Sequence, residues 1–295
     1  MSKVNLILDT DISNEVDDQF ALVYLMKSLE NFNLEAITIA PFNKSGYANT
    51  KSLDEGTNLS FNTAGKILDM INMSEYKRIL YKGATKYFFE SKEPNESSQK
   101  IIEIARKNEH TTIIAIGAIT NVALALYQAQ DIIDKIDIVW LGGNSFLTNK
   151  NNEFNFRQDV EAVRYVFESK VKLVVIPCRN VASNLITTVY ELEHYIGNCG
   201  KIGAYLCGIF QNCKKNFRKM PDDFVGESKT LWDLSAIAYV INKNWFKANE
   251  ISCPDILVDT SYKFTTDKHK VTFVYDLNRH EIYKDFFIKM GYRVK

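Results

Sequence analysis

The sequence predicts an α/β fold built on an open, mostly parallel sheet flanked by helices, and three observations predict it. Short β-branched runs alternate with longer amphipathic stretches; the runs are apolar along most of their length, as strands covered on both faces must be; and no internal repeat or Pro/Gly/Ser linker interrupts the alternation. VNLILD reads as the first strand and VDDQFALVYLMKSL as the first helix. LEAITIA follows as a strand, with a polar segment running into helical TAGKILDMI. TTIIAI and ITNVALALYQA form a third pair, and IDIVWLGG, a loop and VEAVRYVFES a fourth. KLVVIP is a further strand, trailed by helical patterns from about Leu192 to Phe217 and from Leu231 to Val240. Parallel neighbours need crossover connections, and the intervening helices supply them.

Composition bounds the function. At 295 residues the chain exceeds the prior of ~150 residues per domain, but large α/β folds run long as one unit, so a single domain over residues 1–295 is expected. With 46% hydrophobic and 24% charged residues the chain lies outside the composition of disordered proteins. Lys plus Arg (36) cancels Asp plus Glu (36), whereas phosphate neutralisation calls for a basic surplus, so nucleic acid is not an expected partner. The start, MSKVNLILDTD, lacks the apolar core of a secretory signal, and the uncharged stretch Thr111 to Gln130 reads as strand, turn and helix rather than a membrane span. A cytoplasmic protein with no membrane partner is expected. Five cysteines without CxxC spacing give neither a disulfide framework nor a zinc site, and reduced thiols follow.

The chemistry concentrates in ILDTDISNEVDDQFAL, where Asp9, Asp11, Asp17 and Asp18 fall within ten residues, together with Glu15, at the end of the first strand and the start of the first helix. Ligands of open α/β sheets bind at the carboxyl ends of strands. Carboxylates so close repel one another unless protons or a cation compensate, and hard oxygen donors suit Ca²⁺ or Mg²⁺ rather than zinc. Helix capping accounts for one or two of these acids but not for four. Two further segments carry weaker signals. In TLWDLSAIAY, Asp233 opens an apolar helix beside Trp232, and a capping Asp after a core Trp would look the same. In NNEFNFRQDVEAV, Glu153, Asn155 and Asp159 can hydrogen-bond a polyhydroxylated ligand, while an Asp159 N-cap with solvated neighbours is the structural alternative.

In chain order these segments resemble the inosine/uridine-preferring nucleoside hydrolase family. DTDISNEVDDQFAL resembles that family's DTDPGxDDAxAL with two extra residues between the paired acids, AITIAPFN its second-strand segment ending in Asn, IIAIGAITNVA its mid-chain strand, turn and helix, VWLGGN its MGG strand, EFNFRQDVEA its EFNxxxDPEA, and LWDLSAIAY its HDPxAxAY. The resemblance implies a nucleoside-hydrolase-like fold and Ca²⁺-dependent cleavage of the N-glycosidic bond of ribonucleosides, with a small-molecule nucleoside as substrate and assembly as a homodimer or homotetramer. It implies Asp11 as base and metal ligand, Asp18, Asp233 and the Ile116 carbonyl as further ligands, Asp9 as a carboxylate orienting the site, Asp17 and Asn155 on the ribose hydroxyls, Glu153 near the 5′-hydroxyl, and Asn43 lining the same space. The asparagine contacting the 5′-hydroxyl has three candidates, Asn149, Asn151 and Asn152.

The chain departs from the pattern in two places. Trp232 stands where the family carries a His before its last Asp, and none of His110, His194, His269 and His280 lies in a matching motif. Purine-preferring members carry a stacking Trp there, so the resemblance implies a purine leaving group. The segment from Lys82 to Gln99 is short where the family loops over the base, with Tyr87, Phe88 and Phe89 as substitutes. Two readings from other classes remain. A haloacid-dehalogenase-type phosphatase shares the early DxD but needs a Ser or Thr after the second strand, which ITIAPFN lacks; a non-catalytic calcium- or ribosyl-binding descendant would have no use for the base Asp11.

Overall fold

The structure is a computed structural model that describes residues 3–45, 48, 50–146, 150–216 and 228–293, with the side chains of 214–216 left aside. In chain order the elements are β1 (Val4–Thr10), α1 (Asp17–Met26), β2 (Phe32–Ile39), α2 (Leu53–Met70), β3 (Leu80–Tyr81), α3 (Glu96–Lys107), β4 (Thr111–Ala115), α4 (Thr120–Gln128), β5 (Ile136–Leu141), α5 (Phe154–Gln158), α6 (Val160–Glu168), β6 (Lys172–Ile176), β7 (Ile186–Thr188), α7 (Val189–Ile196), α8 (Gly200–Asn216), β8 (Ser228–Thr230), α9 (Leu234–Ile241), β9 (Phe246–Ser252), β10 (Asp255–Ile256), β11 (Tyr262–Lys263), β12 (Lys270–Leu277) and α10 (Arg279–Met290).

Eight strands form the central sheet in the order β3-β2-β1-β4-β5-β6-β12-β9. The pairings from β3 through to β12 are parallel, and only β9 runs antiparallel, on the edge beside β12. The expected mostly parallel sheet is therefore the observed one. Its strands are buried on both faces because successive residues feed two cores. Leu6 and Leu8 pack into one cluster and Ile7 into the other, and the same alternation separates Ile114 from Ile113, Val139 from Ile138 and Val174 from Leu173. The outer strand β9 carries Lys247 and Glu250 on an exposed run, the usual protection of a sheet edge against further pairing.

Two local findings differ from the sequence expectations. The pattern from about Leu192 to Phe217 is two helices, α7 and α8, because Gly200 takes a left-handed φ of +73° that breaks the helical path; Phe217 lies outside the described residues. Helix α1 is buried along all ten of its residues, Asp17 and Asp18 included, and packs against α2, α9 and α10. A helix buried all round shows no amphipathic stripe, so sequence periodicity carries no sign of its depth. No described helix is long and apolar enough to cross a membrane.

The strand order decides where a ligand can bind. The chain leaves β1 toward β2 and β3 on one side and later returns to β4 on the other, so a crevice opens beyond the carboxyl ends of β1 and β4. Asp9 and Asp11 lie at the end of β1, and Ile116 directly follows β4, with the Ile116 N–H donating to the Asp9 carbonyl at 2.9 Å.

Candidate active site

A cavity of about 210 Å³ opens at this switch point, lined by Asn14, Glu15, Asp17, Asp18, Ile116, Leu141, Asn144, Asn152, Glu153, Phe154, Asn155, Cys178, Arg179, Trp232 and Asp233. Sites for drug-sized ligands run to ~300–1,000 Å³, so this one is sized for a compact polar group such as a sugar. Its floor is acidic. One carboxylate oxygen from each of Asp17, Asp18 and Asp233 lies within 4.8 Å of the others. Asp233 reaches the cluster because it stands at the N-terminus of α9 without a capping hydrogen bond from its side chain, which leaves the carboxylate for the site. The capping role that the sequence left open for Asp233 is thus not taken up. Asp159, by contrast, is a cap: it accepts from the Ala162 N–H at 3.2 Å and also holds Thr120 and the Phe88 N–H.

Surrounding hydrogen bonds fix Asp9, Asp17 and Asp18. Thr10 Oγ1 donates to Asp18 Oδ1 at 2.6 Å, and the Trp232 N–H donates to Asp17 Oδ2 at 3.0 Å. Asp9 Oδ1 accepts from Thr38 Oγ1 at 2.7 Å and from Asn121 Nδ2 at 2.9 Å. Asp11 is fully buried, lies against Asp18 rather than on the cavity wall, and neither of its carboxylate oxygens has a hydrogen-bond partner; one oxygen each of Asp9 and Asp17 is likewise unpartnered. Burial raises every one of these carboxyls. Asp9 and Asp17 are pushed up to about 6, Asp18 to about 7, and Asp11 and Asp233 well above the carboxylate range. In Asp11, Asp18 and Asp233 the charges of neighbouring aspartates add to the effect of burial. The converging oxygens of Asp17, Asp18 and Asp233, with the unpartnered buried oxygens of Asp9, Asp11 and Asp17 nearby, are hard donors that fit a divalent cation of the Ca²⁺ or Mg²⁺ kind.

The expected ribose-side residues divide. Asn155 Nδ2 donates to the Ile116 carbonyl at 3.0 Å and to the Leu141 carbonyl at 3.1 Å, so its amide hydrogens are spent and its Oδ1 is the group left for a ligand. The Ile116 carbonyl retains its second lone pair. Glu153 lines the cavity, yet its oxygens already accept from the N–H groups of Gly143, Asn155 and Phe156 at 2.8–2.9 Å. It braces the turn into α5 as well as facing the ligand space. Asn43 is half-buried at the end of the β2 segment and is not among the lining residues; its Oδ1 accepts from Thr50 Oγ1 at 3.1 Å. Of the three candidate asparagines, Asn149 lies outside the described residues, Asn151 is fixed by Asn144 and Thr260, and Asn152 lines the cavity. Trp232 is half-buried, packs on the core and lines the cavity.

The aromatic substitutes proposed for the short segment do not reach the cavity wall. Phe88 is 4% exposed and packs in the core against Tyr127 and Tyr165, Phe89 is 60% exposed, and the Tyr87 hydroxyl donates to Gln158 Oε1 at 2.6 Å. Sequence reasoning passed over Asn14, Asn144, Cys178 and Arg179 as wall residues. Cys178 and Arg179 had a signal, since they directly follow the apolar strand KLVVIP. Asn14 and Glu15 lie in the two-residue-longer link between Asp11 and Asp17, and the structure folds that link onto the cavity.

Gly117, next to Ile116, shows how tightly the floor is built. A Cβ there would stand 2.7 Å from the Ala40 Cβ and 3.2 Å from the Asp11 carboxyl carbon. Gly117→Ala is expected to cost ~1–3 kcal/mol by overpacking and to displace Asp11, read as a lowered denaturation midpoint. A variant as stable as the parent would show that this floor yields.

The comparisons with known proteins agree with this geometry. The sequence profile of a family described as inosine-uridine preferring nucleoside hydrolase matches residues 6–284. A probable ribonucleoside hydrolase from Dictyostelium discoideum is 27% identical over 177 residues, 58% of this chain and 47% of that protein. The non-specific ribonucleoside hydrolase RihC of Shigella sonnei is 26% identical over 166 residues, 55% of this chain and 51% of its own length. The alignments thus span about half the length of these curated relatives. Among solved structures, a purine-preferring ribonucleoside hydrolase from Gardnerella vaginalis shares the fold with a TM-score of 0.79 at 18% identity, covering 97% of this chain and 98% of that one.

Proposed function

The chain belongs to the inosine-uridine preferring nucleoside hydrolase family, and from that premise we propose that it hydrolyses the N-glycosidic bond of ribonucleosides, giving free base and ribose. The observation that carries the proposal is the convergence of buried Asp17, Asp18 and Asp233 on a sugar-sized cavity at the switch point, with buried Asp11, both of its carboxylate oxygens lacking partners, against Asp18. Cleaving the C1′–N bond passes through an oxocarbenium-like ribosyl cation, and a wall of carboxylates favours that developing positive charge.

The ion that suits this donor set is Ca²⁺, held by Asp11, Asp18, Asp233 and the Ile116 carbonyl; when bound it chelates vicinal hydroxyls and acidifies water. The protein's own groups do the rest. Asp17 and Asn155 hold the ribose hydroxyls, and Asp9, tied to Thr38 and Asn121, keeps the Asp11 strand end in place. Asp11 takes the proton of the attacking water. Asn152, which lines the cavity as Glu153 does, is the asparagine that meets the 5′-hydroxyl in this reading. Trp232, which lines the cavity, is the group that stacks on the base, and stacking on a two-ring base favours purine nucleosides over uridine. The Gardnerella neighbour is described as purine-preferring and RihC as non-specific, so it is Trp232 that supports the preference here. Assembly as a homodimer or homotetramer belongs to the same reading, and light scattering of the full chain measures it.

A nucleoside panel assayed for free base and reducing sugar tests the activity. Release of both from inosine or guanosine, abolished by a chelator and restored by Ca²⁺, is the expected result; no release from any nucleoside with the ion bound would overturn the reading.

Removing the ion also has a signed effect on stability. The raised carboxyls hold protons more tightly in the folded chain than in the unfolded one, where an Asp titrates near 3.8, so their contribution is complete below that pH and is lost as pH rises through about 6 and about 7. Chelated protein should therefore melt at progressively lower temperature across that window, while Ca²⁺, which favours the ionised carboxylates, should stabilise most at its alkaline end. A chelated midpoint independent of pH there would contradict the protonated cluster.

A further inference from the structure

The described wall of the cavity carries five acids, Glu15, Asp17, Asp18, Glu153 and Asp233, and one cation, Arg179. The acids are accounted for without it. Glu15 pairs with Lys229, Asp17 and Asp18 accept from Trp232 and Thr10 and form the candidate cation site with Asp233, and Glu153 is held by backbone N–H groups. The exposed Arg179 side chain, by contrast, has no hydrogen-bond, ion-pair or ring partner among the described residues. Its backbone is firmly placed beyond the end of β6. The Arg179 N–H donates to Asn144 Oδ1 at 3.3 Å and the Cys178 N–H donates to the Gly143 carbonyl at 2.9 Å, which ties this segment to the turn after β5.

The free polar groups on this side of the cavity are mainly donors. Asn144 Oδ1 is spent on the Arg179 N–H, and its amide hydrogens are left over. Asn152 follows Asn151, whose Oδ1 accepts from the Asn144 N–H at 2.6 Å, and the Asn152 side chain lines the cavity without a partner among the described residues. Glu153, the group expected to meet a 5′-hydroxyl, has little capacity left. Its Oε2 accepts from the N–H groups of Gly143 and Phe156, Oε1 accepts from that of Asn155, and the Cys178 thiol lies against the same carboxylate. With two lone pairs to each oxygen, Oε2 is full. A hydroxyl needs an acceptor and finds few here, whereas the oxygens of a phosphoryl group only accept, and a guanidinium meets them with a fork of two hydrogen bonds.

We propose that Arg179, with the amide groups of Asn144 and Asn152, forms a subsite for a phosphoryl group on the 5′ carbon, so that ribonucleoside 5′-monophosphates are the preferred substrates, a refinement that rests on the hydrolase reading above. The bond cleaved is the same. Water and the nucleotide give free base and ribose 5-phosphate, and the phosphate ester stays intact.

The test compares inosine with inosine 5′-monophosphate on the full chain with Ca²⁺ present, with kcat/KM taken from release of the base. The parent is expected to favour the monophosphate about tenfold or more, the worth of a charge-assisted contact. Arg179→Gln should bring that ratio near one, and Arg179→Glu below one by repulsion. Ribose 5-phosphate should also inhibit inosine cleavage by the parent about tenfold more tightly than ribose does, an advantage lost in both variants. Arg179 is exposed, so the variants keep the fold, and each ratio is taken within one protein, so a general loss of activity cancels. A parent that cleaves inosine as well as or better than the monophosphate, or a preference that survives Arg179→Glu, overturns the subsite and leaves the hydrolase reading standing. A parent that cleaves neither overturns the hydrolase reading itself.

Discussion

Asp11→Asn is expected to keep the fold and the bound ion but lose ~10²–10⁴-fold in kcat, because an amide cannot accept the proton of the attacking water. The substitution is nearly isosteric at a fully buried position whose two oxygens have no partner, so it breaks no hydrogen bond of the ground state. It also removes a member of a mutually repelling cluster, since Asp11 adds to the raised titration of Asp233. The chelated variant should therefore melt no lower than the chelated parent, and at neutral pH somewhat higher. Single-turnover rates measured beside ion occupancy separate a lost base from a lost ion. A calcium-loaded variant that turns over within about tenfold of the parent would remove Asp11 from the role of base.

Trp232→Ala is expected to lower kcat/KM for inosine or guanosine about 5- to 150-fold, the equivalent of the ~1–3 kcal/mol that stacking of one base provides. Uridine, with one ring, should lose less. The variant will also be less stable, because the half-buried indole packs on the core beside α9 as well as on the cavity. Stability and selectivity are separable: the loss of packing acts on the folding equilibrium, whereas the ratio of purine to pyrimidine turnover is taken on folded enzyme alone. An equal loss for inosine and uridine would make the tryptophan purely a packing residue and leave the base to other wall groups, among them Asn144 and Arg179 beyond the ends of β5 and β6.

Burial, which makes these effects large, was not visible in the chain as written. The five aspartates of the site look like solvated caps when read one at a time, yet they are 0–4% exposed. Asp17 and Asp18 stand in the first turn of α1, where a helix dipole accommodates them, but their hydrogen bonds go to Trp232 and Thr10 rather than to their own helix end. The same contrast separates Asp159 from Asp233. Each opens a helix, and only the first caps it.

By itself the sequence determined the strand and helix segments of the parallel half, the absence of a basic or linker-like region, and the acidic constellation with its membership of one family. These are local properties: alternation of two, periodicity of 3.6, and motifs whose residues lie within one strand-turn-helix step. Only the tertiary structure decided the order β3-β2-β1-β4-β5-β6-β12-β9, the antiparallel edge at β9, the core position of Phe88, the use of Glu153 as a brace, and the meeting of Glu15 with Lys229. Those depend on which strand each crossover lands beside and on contacts between residues far apart in the chain. No periodic pattern records such a contact, because either partner taken alone satisfies its local rules equally well as a cap, a core aromatic or a solvated charge.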